Sequence, residues 1–431
     1  MQDYRGTSLK GTDSMETAGA ARQFFTRKSI LSTLAIFGPG IIVMLANTDA
    51  GCIVTAAQSG AQFGFAMVLP QILLIPIVYI VQEITVRLGI VTGKGHGELI
   101  REKFGKKWAI LSVTTLFLSS IGALVTEFSG IAGVGNLFGI PPWFSVSLAT
   151  ILLIVIGLTG SYKRVERIGI AIGLFELLLV PAAWMAHPNT DELLRGLTTV
   201  PLHQPSYIFL LAANVGAVIM PWMIFYQQSA VVDRGLSKSH LRGSRIDTAI
   251  GSVITQIVMI ATVVMIAATI AEKNPSQPLD TVEQISQGLI PFLGAFGAKA
   301  IFGLGMLGAS FVAALVVSLA GAWGIGEVFN FNHSVNHKFK DAKWFYLIYT
   351  AAHIGGAVLV FSGINLVHLD VDTEVMNALL LPLVLGFLLL LEAKVLPPKW
   401  RMKGIYKYIV WTTAAIIMIF GLYMGAKIIL F

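Results

Sequence analysis

Two apolar stretches of the sequence each contain a residue that an apolar helix tolerates badly. Asp49 sits about halfway along the stretch from Ser29 to Gly60, in Ala46-Asn47-Thr48-Asp49-Ala50-Gly51-Cys52. Pro221 falls in the middle of another, in Asn214-Val215-Gly216-Ala217-Val218-Ile219-Met220-Pro221-Trp222. A carboxylate in an apolar surrounding demands a partner, and proline removes the N–H that would bond the carbonyl four residues earlier, that of Ala217. An acid, a thiol and backbone carbonyls released from helical pairing make a donor set for a cation. Such a set is useful only if folding brings the two stretches together.

The rest of the chain says what kind of fold must do so. Of 431 residues, 55% are apolar and 12% are charged, about half the charged share of a soluble domain, and the mean hydropathy is +0.77. That excludes a water-soluble enzyme. The single cysteine, Cys52, excludes an intrachain disulfide and a cysteine-rich metal fold. Charge-free runs cover 29–48, 50–82, 108–126, 128–162, 177–190, 196–232, 248–271, 300–326, 344–369, 375–391 and 408–426. At about 20 residues per span, with the longer runs split at signals such as Phe138-Gly139-Ile140-Pro141-Pro142, they predict eleven transmembrane helices. The chain reads as an all-α polytopic membrane protein.

Basic residues sort by side. With the N-terminus cytoplasmic, all of the 30 Lys and Arg except Arg195, Lys273, Lys299 and Lys427 lie on the cytoplasmic side, and the C-terminus is extracytoplasmic. The net charge of +7 is therefore a matter of topology, and no nucleic-acid partner is expected. Residues 1–28 read as a cytoplasmic tail, with one transmembrane domain over 29–431 and no cleaved signal peptide. Acids gather in the opposite loops: Asp191, Glu192, Glu272, Asp280, Glu283, Asp370, Asp372 and Glu374. The last three, placed just before the tenth helix, would attract cations to an outer mouth.

A broken helix in each half of the chain is the pattern of inverted-repeat transporters, whose site lies near the membrane midplane. At these residues the sequence resembles the NRAMP family of divalent-metal transporters, in which the first helix reads Asp-Pro-Gly-Asn and the sixth Met-Pro-His. The matching positions are Asp49-Ala50-Gly51-Cys52 and Met220-Pro221-Trp222. Further similarity runs through Gln58-Ser59-Gly60-Ala61, Arg87 to Gly93, Glu98 to Glu102, Leu137 to Pro141, Arg164 to Arg167 and Ser229-Ala230.

The resemblance implies a LeuT-like 5+5 inverted repeat with broken helices 1 and 6 and a peripheral helix 11. Repeat one would cover about 29–186, repeat two about 206–392 and the last helix about 408–429. It also implies a metal site made of Asp49, Met220, the carbonyls of Ala46 and Ala217, and Cys52 in place of the family's asparagine. Asn47, Thr48, Gly51, Trp222, Gln227 and Glu127 would line or gate the pathway. The metal is then cargo rather than a cofactor, the bilayer is the other partner, and no obligatory protein partner is implied. Thioether and thiol donors favour Mn(II)- or Fe(II)-type ions over Mg(II).

The departures from the family concern protons. Trp222 stands where the family has a titratable histidine, 117–126 lack the acids that precede Glu127-Phe128, and 344–369 contain no Lys or Arg. The segment Phe225-Tyr226-Gln227-Gln228 carries one extra residue before Ser229. Weak or absent proton coupling is the expectation, and the lost groups are shared with NRAMP-related magnesium transporters. An uncoupled Mg(II) and Mn(II) transporter is therefore the alternative, and an amino-acid or organic-cation carrier on the same fold is a second. Glu83 is expected to form a surface pair with Arg87 at i+4. Glu127 is either part of a proton route or a packing group, and Glu176 is open between the same two roles. The Gly169-x-x-x-Gly173 pattern predicts close helix packing.

Overall fold

The computed structural model describes residues 38–271, 278–279, 281–361 and 366–430. The expected N-terminal tail, Glu272, Lys273 and Asp280 lie outside them. Every regular element among the described residues is helical. The first apolar stretch forms α1 (Pro39–Asn47) and α2 (Ala50–Phe63), which are separate helices. Helices α3 (Val68–Thr92), α4 (His96–Phe104), α5 (Lys106–Leu137) and α6 (Pro142–Gly157) follow. The next span combines α7 (Tyr162–Gly173), a 3-10 segment and α8 (Leu179–Met185). After the short α9 (Thr190–Gly196), the second interrupted stretch forms α10 (Pro205–Val218) and α11 (Pro221–Asp233). Then come α12 (Leu241–Ile266), α13 (Val282–Gln287), α14 (Ile290–Phe329), α15 (Lys343–Val360), α16 (Leu366–Val395) and α17 (Gly404–Leu430). Eight continuous helical segments among the described residues are long and apolar enough to cross a membrane, and Pro142–Gly157 is a shorter apolar helix.

The interrupted pairs occupy the centre. Residues 42–61 and 210–231 are almost entirely buried, whereas α17 lies against α16 and exposes Ile405, Tyr408, Ile416, Ile419 and Leu422. Apolar side chains exposed around the whole bundle are what a lipid-facing surface requires. Glycines let the centre close up: a Cβ on Gly169 would press on Ile42 and one on Gly173 on Leu45, so α7 packs tightly on α1, as the Gly-x-x-x-Gly spacing predicts.

Polar clamps hold the end at which α1 begins. The first amides of a helix lack intrahelical partners, and here those of Gly38 and Gly40 donate to the Asp247 carboxylate on α12, the latter at 2.7 Å. Glu166 at the start of α7 pairs with Arg234 beyond α11. Nearby, Glu83 meets Arg87 at 3.0 Å and Arg245 at 2.7 Å, and Arg87 also reaches Glu392 at 3.5 Å. The expected i+4 contact is present, but the pair is not on the surface: Glu83 and Arg87 are each 3% exposed. Its partners come from α12 and α16, elements that local spacing cannot bring into view. Removing one partner of a buried network of this kind leaves an uncompensated charge and costs about 3–5 kcal/mol.

Candidate metal site at the two helix breaks

The first break is built by competition for backbone amides. The N–H that would close the helix on the Ala46 carbonyl belongs to Ala50, and it donates instead to Glu127 Oε2 on α5 at 3.2 Å. Asp49 then has extended backbone and acts as N-cap of α2, its Oδ1 accepting the Cys52 N–H at 2.8 Å. Capping and the positive end of the helix dipole both favour a carboxylate there. Asn47 Nδ2 and Thr48 Oγ1 are tied to Thr255 on α12, at 3.3 and 2.6 Å. These contacts hold the segment between α1 and α2 in place, and the second carboxylate oxygen, Oδ2, has no hydrogen-bond partner among the described residues.

The second break follows from Pro221. Having no N–H, it cannot bond the Ala217 carbonyl, which instead accepts the Cys52 Sγ–H at 3.1 Å. That one hydrogen bond joins the two breaks. Met220, the N-cap of α11, is fully buried and its Sδ accepts the indole N–H of Trp222 at 3.0 Å. Gln227 is 1% exposed and its Oε1 has no hydrogen-bond partner among the described residues. Asn214, on the helix leading to the break, donates to Ser59 Oγ at 2.7 Å and so ties α10 to α2.

The structure thus brings Asp49, Cys52 and the Ala217 carbonyl together, with Glu127 bracing the first break. Ala46, Asn47, Thr48, Met220 and Trp222 are all buried at or beside the two breaks. Cys52 does not face away, since its sulfur lies among the carboxylates. Sequence reasoning missed one group. Glu374 is not at an outer mouth: it lies inside α16, fully buried, and its carboxylate, that of Asp49 and the Cys52 sulfur offer ligand atoms within 4.8 Å of one another. Asp370, one turn earlier, is also buried, at 1% exposed, so neither acid is free to act as a vestibule charge. The signal that could have found them is period: 370 and 374 are four apart and fall on one helical face, whereas Asp372 does not. Glu176, in the 3-10 segment, is fully buried. The tightly packed Gly51 explains the close approach of α16. A Cβ there would stand 2.5 Å from Glu374 Oε1 and 3.5 Å from Asp49 Oδ1.

A helical membrane bundle in which two broken helices meet at buried carboxylates has the architecture of the LeuT-like inverted-repeat class. Comparison with known proteins narrows the class. The model of the "Natural resistance-associated macrophage protein-like" family matches residues 40–427, and the chain belongs to that family. It is a membrane transporter, not an enzyme. The chain is 26% identical over 389 residues to the divalent metal cation transporter MntH of Verminephrobacter eiseniae, covering 84% of this chain and 82% of that one. It is 30% identical over 325 residues to the MntH of Aeromonas hydrophila, covering 72% and 75%. Among solved structures, the manganese transporter of Eremococcus coleocola superposes with a TM-score of 0.72 at 17% identity, covering 96% of this chain and 88% of that one. MhsT in complex with L-phenylalanine superposes with a TM-score of 0.61 at 16% identity, covering 90% and 97%. These two likenesses concern the fold.

Proposed function

We propose that the protein imports divalent metal ions of the Mn(II) or Fe(II) type across the cell membrane by alternating access, with the N-terminus cytoplasmic. The observation that carries this reading is the unpartnered Asp49 carboxylate oxygen, buried where the two breaks meet and beside a thiol and a released carbonyl. Asp49, Cys52, Met220 and the carbonyls of Ala46 and Ala217 would hold the ion. The likeness to an amino-acid carrier does not extend to the cargo. A carboxylate substrate would seek the α2 N-terminus, and Asp49 already fills that position with the protein's own anion.

Proton coupling is weak or absent in this reading. It rests on Trp222 in place of a histidine and on the lack of Lys and Arg in 344–369. The membrane potential alone favours entry of a dication by about 4.6 kcal/mol per 100 mV, twice the single-charge figure. One observation favours Mg(II) as a second reading: the Met220 sulfur is engaged by the Trp222 indole, which leaves oxygen donors in the majority.

The test is ion uptake into proteoliposomes carrying a pH dye, with Mn(II) and Mg(II) side by side. The expected result is Mn(II) uptake driven by an inside-negative potential with no acidification of the lumen. Mg(II) taken up at least as well as Mn(II) would favour the second reading. Acidification in step with the metal would contradict uncoupled transport, and uptake of neither ion would contradict both readings.

A further inference from the structure

We propose that Glu374 is itself a ligand of the transported ion, so that the site holds a dication with two carboxylates from different halves of the fold. This deepens the metal-transport reading and rests on it. Four observations converge on Glu374. Its carboxylate lies within 4.8 Å of both the Asp49 carboxylate and the Cys52 sulfur. Its Oε2 is fixed by the Asn377 amide at 3.0 Å, and Asn377 in turn accepts the Ser119 hydroxyl at 2.7 Å. Its Oε1, like Oδ2 of Asp49, is fully buried and has no hydrogen-bond partner among the described residues. And only a glycine at position 51 lets Oε1 come this close to α2, since a Cβ there would stand 2.5 Å from it.

An anchored oxygen paired with a bare one is how an outer hydrogen bond orients a metal-binding carboxylate. The electrostatics point the same way. Two carboxylates this close repel strongly away from water. Every ion pair among the described residues involves other acids, namely Glu83, Glu98, Glu102, Glu166 and Glu392. A doubly positive ion between Asp49 and Glu374 offsets their repulsion, which no ion pair among the described residues does.

The experiment measures Mn(II) binding by calorimetry on the full-length protein in detergent, comparing the unaltered chain with Glu374→Gln, Glu374→Asp and Asp49→Asn. The expected result is a loss of affinity for Glu374→Gln at or above the ~100-fold upper end seen for outer-shell partners, since the charge of a direct ligand is lost, with a smaller loss for Glu374→Asp and no binding for Asp49→Asn. Glu374→Gln binding within twofold of the unaltered protein, while Asp49→Asn binds nothing, would overturn the role of Glu374 and leave the transport reading standing. No binding of Mn(II) or Mg(II) by the unaltered protein would remove both. A measurement without substitutions covers variants that do not fold. In membranes treated with dicyclohexylcarbodiimide, Mn(II) should protect Glu374 and Asp49 alike from modification, as read by peptide mass. Protection of Asp49 alone would overturn the proposal.

Discussion

Replacing Asp49 with alanine or with asparagine reduces divalent-metal uptake by proteoliposomes more than about a hundredfold, to the level of empty vesicles. The two variants separate the residue's roles. Asp49 caps α2 through its bond to the Cys52 amide, and alanine at an N-cap costs about 0.5–2 kcal/mol of stability. Asparagine caps almost as well as aspartate, so Asp49→Asn keeps the break folded while removing its charge. Loss of transport with an unchanged melting temperature in Asp49→Asn assigns the effect to the ion. The expected magnitude exceeds the ~10–100-fold typical of removing an outer-shell partner, because here a direct ligand is lost. Uptake by Asp49→Asn within a few-fold of the unaltered protein would contradict the site.

The second large effect is structural. Gly216 lies on α10 where it crosses α16, and a Cβ at this position would overlap the backbone carbonyl of Glu374. The obstruction is a peptide group in a buried helix, not a side chain that can turn aside. Overpacking of a close-packed interior costs about 1–3 kcal/mol or more, and here the only relief is to move the two helices apart. Gly216→Ala is therefore expected to lower the thermal midpoint in detergent by several degrees and to abolish uptake, since separating α10 from α16 pulls Glu374 and the Ala217 carbonyl away from Asp49. An equally stable and active Gly216→Ala protein would mean that the helices are not in contact there. Gly355 is a control in the same experiment, because nothing lies within 4 Å of the Cβ it would acquire. Gly355→Ala should change neither quantity.

The two breaks were legible in the sequence because each violates a strong rule. A carboxylate in apolar surroundings and a proline in mid-span cost too much to be incidental, and both mark the residues around which the site is built. Cys52 was legible as a member of the motif but not in its direction; three positions after the cap it turns back toward the second break, where its thiol meets Ala217. Glu374 was hidden by the same rule that found the spans. Ending each helix at the first charge cut the tenth span short at residue 375, when α16 begins at Leu366 and carries Asp370 and Glu374 inside it. Acids that serve a site look, on a charge-free criterion, like acids of a loop. The Glu83–Arg87 pair shows the complementary limit: its spacing predicts the contact, but its burial comes from Arg245 and Glu392, more than 150 residues away in sequence.

The central claim is that one dication sits between the broken helices, held by Asp49. Crystals soaked with Mn(II) and measured at the manganese absorption edge test it most directly. The expected result is one strong anomalous peak within coordination distance of the Asp49 carboxylate, bounded by Cys52, the Ala217 carbonyl and Glu374. A peak confined to the Glu83–Glu392 cluster or to the surface, with the space beside Asp49 empty under saturating metal, would contradict it.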